Sequence, residues 1–316
     1  MNLRKSLGFM ENERMIRSVH GLRGLRISQL AGCVFSALLV LVLLHGCATR
    51  ADAIHQVTNV GRVEDFQPHW EPLFKGIEFA EARKMAPEPV ALYFVRIDLR
   101  DSDIDFVVTP SNGERPKETD GKKTSTFLKE SGCQLAINAS PFSPVEEGEG
   151  KPKDIIGVSA SRGDVYSQPH GEHCALTISK DKRVSFLKPP FKADGAYNAI
   201  GGFRMILERG SNVGLRDQRH PRTAVGTSED GRYMYVVVID GRQPSYSVGA
   251  TTQETAMWLQ HVGAYDALNM DGGGSTTLVI ADEQGNPAIL NRPIHNKLPG
   301  TERVNGNSLG VFAKLR

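Results

Sequence analysis

The run Tyr233-Met-Tyr-Val-Val-Val-Ile-Asp240 is apolar on both of its alternating faces. A strand with one face in water alternates polar with apolar, so this segment reads as a central strand buried on both sides. Asp240-Gly241-Arg242 stands at its C-terminal end, where charges emerging from a buried strand need a reason. They either cap a turn or serve a site. Farther on, Thr251 or Thr252 followed three residues later by Gln or Glu resembles a capping box. It opens a helical pattern through Val262, with Gly263 as the stop, and Glu254 reads there as a capping residue.

The remaining signals are mostly β. Val90–Leu99 and Ile104–Thr109, split by an acidic turn, predict a hairpin. Thr124–Ser131 predicts a short helix capped by its own hydroxyls and ended by Gly132. Gln134–Ile137 predicts a strand running into Asn138, with further short strands at 157–160, 174–179 and 183–187. Residues 143–154 are charged and rich in Gly and Pro, which predicts a loop. Strands outnumber helices and the connections are short. The expectation is an α+β fold, a mixed β-sheet system with a few packed helices, in a single catalytic domain over residues 89–316. Residues 47–88 read as a tether and lead-in.

The first 46 residues read as a lipoprotein-type signal peptide. Arg14, Arg17, Arg23 and Arg26 precede an apolar stretch over 27–44, too short for a comfortable membrane span. Leu44-His45-Gly46-Cys47 resembles a lipobox, which makes Cys47 the lipidation site and predicts an exported, membrane-anchored protein. In a Gram-negative cell the expected place is the periplasmic face of the outer membrane; a signal anchor in the inner membrane is the alternative. Of 38 Lys/Arg and 36 Asp/Glu, that segment holds six and two, leaving 32 against 34. A near-neutral body argues against nucleic acid as a partner. Beyond Cys47 only Cys133 and Cys174 remain, able to pair or stay free, and no Cys/His cluster suggests zinc.

Asn269-Met-Asp-Gly-Gly-Gly-Ser-Thr-Thr277 lies between two apolar runs. Three glycines let a ligand approach bare backbone, and Asp271 stands at the mouth of the turn. No Lys precedes the Ser, so this is not a Walker phosphate loop.

Together with Asn138, His220-Pro-Arg-Thr-Ala-Val-Gly226, Asp240-Gly-Arg242, Thr251–Glu254 and the segment 302–312, this block resembles the phosphodiester glycosidase family. The resemblance covers roughly residues 90 to 314. It implies hydrolysis of a sugar-1-phosphodiester at the glycosidic bond, with a phosphorylated glycan as substrate. It further implies Asp271 and Asp240 as catalytic residues. Implied substrate-binding residues are Asn138, Arg222, Thr223, Gly241, Arg242, Gly272, Gly273, Gly274, Ser275, Thr276 and Asn305. Arginine forks suit phosphate oxygens, and bare glycine amides can donate to them. Asn138 and Asn305 read equally as Asx turns, and His220 as a loop histidine. No cofactor is certain, and a divalent cation such as calcium is left open. One departure from the family pattern is Ala139-Ser140-Pro141 after Asn138, where glycines are usual. Two other readings stand beside this one: a catalytically silent glycan- or phosphate-binding lipoprotein, and a metal-assisted phosphodiesterase cleaving at phosphorus through Asp240 and Asp271.

Overall fold

The computed structural model describes residues 56–316. The signal segment, Cys47 and the start of the expected tether lie outside the described residues. Among those residues the fold is sheet-rich, with two α-helices, Thr124–Ser131 and Thr252–His261. The expected α+β class therefore shifts toward mostly β.

Tyr233–Ile239 is central in a nine-stranded sheet, flanked by Val90–Asp98 on one side and Arg222–Thr227 on the other, both antiparallel. Its two apolar faces feed two cores. Met234, Val236 and Val238 pack toward the five-stranded sheets, while Tyr235, Val237 and Ile239 pack with Ala256, Trp258 and Leu259 of the helix Thr252–His261. That helix starts as its sequence predicts. The Thr251 hydroxyl accepts from the Glu254 amide at 3.1 Å, and the Glu254 carboxylate accepts from the Thr251 amide at 2.9 Å.

One five-stranded sheet runs in the order Pro287–Ile289, Leu278–Ala281, Leu135–Asn138, Ser308–Phe312, Asp105–Val108. Its other face is covered by Phe127 and Leu128 of the helix Thr124–Ser131. Gly132 ends that helix in the left-handed region, φ 70°. At the helix start, however, Lys123 is the N-cap and its side chain makes no cap bond. Remote carboxylates replace it, Glu149 accepting from the Lys123 amide at 2.6 Å and Glu302 from the Ser125 amide at 3.1 Å. A further five-stranded sheet holds the short strands expected between 157 and 187.

Two expectations change, and one open question is answered. Val90–Asp98 and Asp105–Val108 do not form a hairpin. Both edges of the first are taken, by Ile77–Lys84 and Tyr233–Ile239, so the second joins the other sheet. Within the expected tether, Val57–Val60, Glu71–Phe74 and Ile77–Lys84 are strands of the nine-stranded sheet. The folded body thus begins well before residue 89. Cys133 and Cys174 are both free and buried, in different apolar clusters.

Phe66 shows how firmly that leading segment is integrated. It is fully buried, stacked on Phe94 at 5.1 Å and edge-on to Trp258 at 5.8 Å. Phe66→Ala should destabilise the protein by about 3–5 kcal/mol, read from urea unfolding. A change below about 1 kcal/mol would return the segment to the status of a tether.

Candidate active site

The glycine turn is the crossover between two sheets. Asp266–Asn269 is a strand of the nine-stranded sheet, Leu278–Ala281 belongs to the five-stranded one, and a single 3-10 turn over Gly273–Ser275 lies between them. Asn138, 1% exposed at the end of its own strand, holds the crossover in place. Its Nδ2 donates to the Asp271 carbonyl at 2.7 Å, while its Oδ1 accepts from the Thr223 hydroxyl at 2.7 Å and the Thr277 amide at 3.2 Å. The Asp271 amide donates to the Ala139 carbonyl at 3.0 Å.

Each glycine clears a particular neighbour. A Cβ on Gly272 would sit 2.7 Å from the Pro221 carbonyl oxygen. Gly273 has φ +63°, and a Cβ there would lie 3.0 Å from an Arg242 guanidinium nitrogen. A Cβ on Gly274 would collide with the Arg303 guanidinium. The bare backbone thus admits two arginines beside Asp271.

The turn floors a cavity of about 570 Å³. Four arginines line it, Arg204, Arg222, Arg242 and Arg303, against two carboxylates, Asp217 and Asp271. With His220 neutral the lining carries a net positive charge, suited to an anionic ligand. Phe203 and Leu215 supply an apolar rim, 39% and 48% exposed.

Burial raises the Asp271 carboxyl to about 6, against the opposing pull of its hydrogen bond with Ser275 and the charges of Arg303 and Arg242. It is half-buried and lines the cavity. His220 lies below its ordinary value through burial and then the charges of Arg242 and Arg222. Its Nδ1 is 3.4 Å from Arg242 Nη2.

Asp240, the second expected catalytic residue, does not line this cavity. It is 1% exposed, and its carboxylate accepts from Tyr93 Oη at 3.1 Å, Asn291 Nδ2 at 2.8 Å and the Arg292 amide at 2.8 Å. Burial raises it too to about 6. The geometry makes Asp240 a buried organiser of the polar interior. Among the described residues no group of three or more His, Cys, Asp or Glu converges as metal ligands.

The expected binding residues separate in the same way. Arg222, Arg242, Gly272, Gly273 and Gly274 line the cavity. Arg222 is largely committed inward, its Nε to the Ala250 carbonyl at 2.9 Å and its Nη2 to the Gln218 carbonyl at 2.8 Å and Asp217 at 3.2 Å. Thr223 and Asn138 work behind the turn. Gly241 is a packing glycine, since a Cβ there would sit 2.7 Å from the Pro221 nitrogen. Ser275 is buried under Asp271, Thr276 is buried, and Asn305 donates to the Thr124 hydroxyl at 3.1 Å and the Ser275 carbonyl at 3.4 Å. None of these three lines the cavity. The unusual Ala139-Ser140-Pro141 also stays behind it, with the Ser140 amide on Asn307 Oδ1 at 2.7 Å. Sequence reasoning passed over Arg303, Arg204, Asp217 and the apolar rim. Arg303 lies within the segment 302–312 that carries the family resemblance, but only the fold brings its side chain to the glycines.

A family model for phosphodiester glycosidases matches residues 131–312. The chain belongs to that family. Three solved structures share its fold at low identity. The catalytic domain of zebrafish N-acetylglucosamine-1-phosphodiester α-N-acetylglucosaminidase, auto-inhibited by its pro-peptide, is 17% identical with a TM-score of 0.55, over 81% of this chain and 87% of that one. A putative exported protein from Burkholderia pseudomallei is 13% identical, TM-score 0.52, over 71% and 74%. A hypothetical protein from Synechocystis is 16% identical, TM-score 0.52, over 77% of this chain and 64% of that one, so the match spans less than two thirds of that protein's length. No curated protein matches the sequence.

Asp240 and Asp271 should separate cleanly on amidation. Asp240→Asn turns an NH2 group toward donors and should cost about 3 kcal/mol or more of unfolding free energy. Asp271→Asn should leave stability within about 1 kcal/mol, because its carboxylate faces the cavity. Equal losses in chemical denaturation would make both residues structural.

Proposed function

We propose that this phosphodiester glycosidase hydrolyses the glycosidic bond of a sugar-1-phosphodiester in an envelope or extracellular glycan. The products are a free sugar and a phosphomonoester on the acceptor. The observation that carries this reading is the placement of Asp271, the carboxylate of the glycine turn, between two arginine forks in a net positive cavity.

In this mechanism Arg242 and Arg303 bind the phosphate oxygens, since Arg222 is mostly engaged with Asp217 and backbone carbonyls. The sugar ring lies against Phe203. Asp271 acts in its ionised form on a water directed at the anomeric carbon. The bond from that carbon to the phosphate oxygen breaks, hydroxide adds to the carbon, and the proton passes through Asp271 to solvent. The leaving phosphate bears its own negative charge, which the arginines stabilise, so no separate general acid is needed. The same arginines hold part of Asp271 ionised against burial.

Export, a lipid on Cys47 and attachment to the membrane complete the proposal. They rest on the N-terminal sequence alone, with the outer membrane's periplasmic face as the expected place. Cys47→Ser should abolish metabolic fatty-acid labelling of the protein; labelling that persists would refute the anchor.

Incubating the protein with a panel of sugar-1-phosphodiesters tests the reaction. Free sugar with phosphomonoester supports it, sugar-1-phosphate means cleavage at phosphorus, and binding without turnover means a silent binding protein. Asp271→Asn should lower kcat/KM at least roughly a hundredfold. Protonating Asp271 removes its base form, so kcat/KM should also fall as pH drops through about 6. A flat profile from pH 5 to pH 8 would remove Asp271 from that role.

A further inference from the structure

Behind Arg303, outside the cavity lining, lies a set of polar contacts that the proposed reaction does not use. His295 ends the strand Ile294–His295, which turns through Asn296 and Lys297 into Leu298–Pro299. Asn296 and Lys297 both have positive φ, 51° and 63°, as a tight two-residue hairpin requires. The hairpin sets the His295 ring at 4% exposure between two partners. Arg303 Nε lies 3.3 Å from its Nδ1, and Glu147 Oε1 lies 2.6 Å from its Nε2. Asn296 Nδ2 donates to the same Glu147 oxygen at 2.7 Å. Beyond His295, Arg303 Nη1 reaches the Ser275 hydroxyl at 3.3 Å, and that hydroxyl bonds Asp271.

The chemistry of this chain has one direction. A guanidinium N–H can only donate, so His295 Nδ1 must present its lone pair to Arg303. The ring proton then sits on Nε2 and is donated to Glu147. A carboxylate on the far side of the ring therefore selects the tautomer that receives the arginine. A ring protonated at both nitrogens would turn an N–H against the Arg303 fork. Gly274 leaves the guanidinium room on its other side, so the fork is fixed between a backbone without a side chain and an acceptor of set orientation.

We propose that His295, oriented by Glu147, is a positioning residue that fixes the Arg303 fork beside Asp271 for the anionic group of the substrate. The positioning rests on the functional reading above only for what the fork holds. The fixed geometry itself is a property of the free protein. The charged groups around Asp271 are Arg303 and Arg242, with Arg222, Arg204, Asp217 and His220 on the cavity wall; Glu147 faces Arg303 across His295. Loss of the His295 acceptor frees Arg303 and removes part of the charge that opposes Asp271 protonation, so the acid limb of the rate profile should move to higher pH.

Two near-isosteres separate the two halves of the ring. His295→Asn places an amide oxygen near the Nδ1 position and keeps the acceptor for Arg303, but gives up Glu147. His295→Gln reaches the Nε2 position and keeps Glu147, but leaves Arg303 without its acceptor. NMR on the full-length protein with 15N-labelled arginine, the Arg303 Nε–H signal assigned by its absence in Arg303→Lys, reads the bond without any substrate. Solvent exchange of that proton should quicken about tenfold in His295→Gln and His295→Ala, as expected for losing a hydrogen bond. It should recover most of that protection in His295→Asn. Glu147→Ala, on an exposed loop with no packing to lose, should quicken exchange as well and shift the His295 nitrogen signals toward the other tautomer. On a substrate that turns over, kcat/KM should follow the same order, the Asn variant recovering most of what Ala loses, with the acid limb displaced upward only in Gln and Ala. Equal exchange in all His295 variants, or a wild-type Nδ1 signal that is protonated, overturns the positioning role. Should no phosphodiester turn over while exchange follows the expected order, the functional reading fails and the positioning stands.

Discussion

The Asn138 carboxamide is the joint on which the site depends. Through three hydrogen bonds it ties the end of its strand in one sheet to Thr223 in another and to both ends of the glycine turn, at Asp271 and Thr277. All of this happens at 1% exposure, where an unmade hydrogen bond carries its full desolvation cost. The glycine turn passes from one sheet to the other and floors the cavity. The amide clamp fixes the backbone of that turn, and Asn138, which sequence reading offers as a substrate contact, lies outside the cavity lining as its fastening.

With the backbone fixed, the electrostatics follow from crowding. Four arginines at one cavity would repel each other in water-poor surroundings, and each has a partial answer. Arg222 leans on Asp217 and two carbonyls, Arg303 on His295 and Ser275, while Arg204 and Arg242 stay exposed, Arg242 over Gly273. Asp271 is held in the opposite tension, raised by burial and drawn back by Arg303 and Arg242. An anionic ligand relieves the repulsion among the forks, and the phosphate of the proposed substrate is such a ligand.

Much of this was legible in the sequence, and the divide has a physical basis. Tyr233–Ile239, the helix Thr252–His261 with its capping box, and the Gly132 stop are written in local patterns, and they fold as those patterns demand. The glycine turn was visible because three consecutive glycines have few structural uses. What the sequence hid is non-local. Lys123 gives no cap signal because the capping carboxylates, Glu149 and Glu302, come from far along the chain. The strands Val57–Val60 and Ile77–Lys84 pair in parallel, and neither that pairing nor the burial of Phe66 leaves a periodic mark strong enough to distinguish a sheet edge from a tether.

Asp240 shows the same divide at the level of a single residue. Its position, a carboxylate where a buried strand ends, is as good a catalytic signal as that of Asp271, and both are pushed to about 6 by burial. Titration alone does not distinguish them. What does is the set of surrounding donors: Tyr93, Asn291 and the Arg292 amide occupy the Asp240 oxygens, and Arg83 donates to Tyr93 at 3.0 Å from the other side. A carboxylate whose oxygens are already bonded inside the protein organises the interior, whereas one that opens onto a cavity among arginines is available to a ligand. That contrast, set by packing between distant segments, is the ground on which the proposed chemistry is placed at the glycine turn.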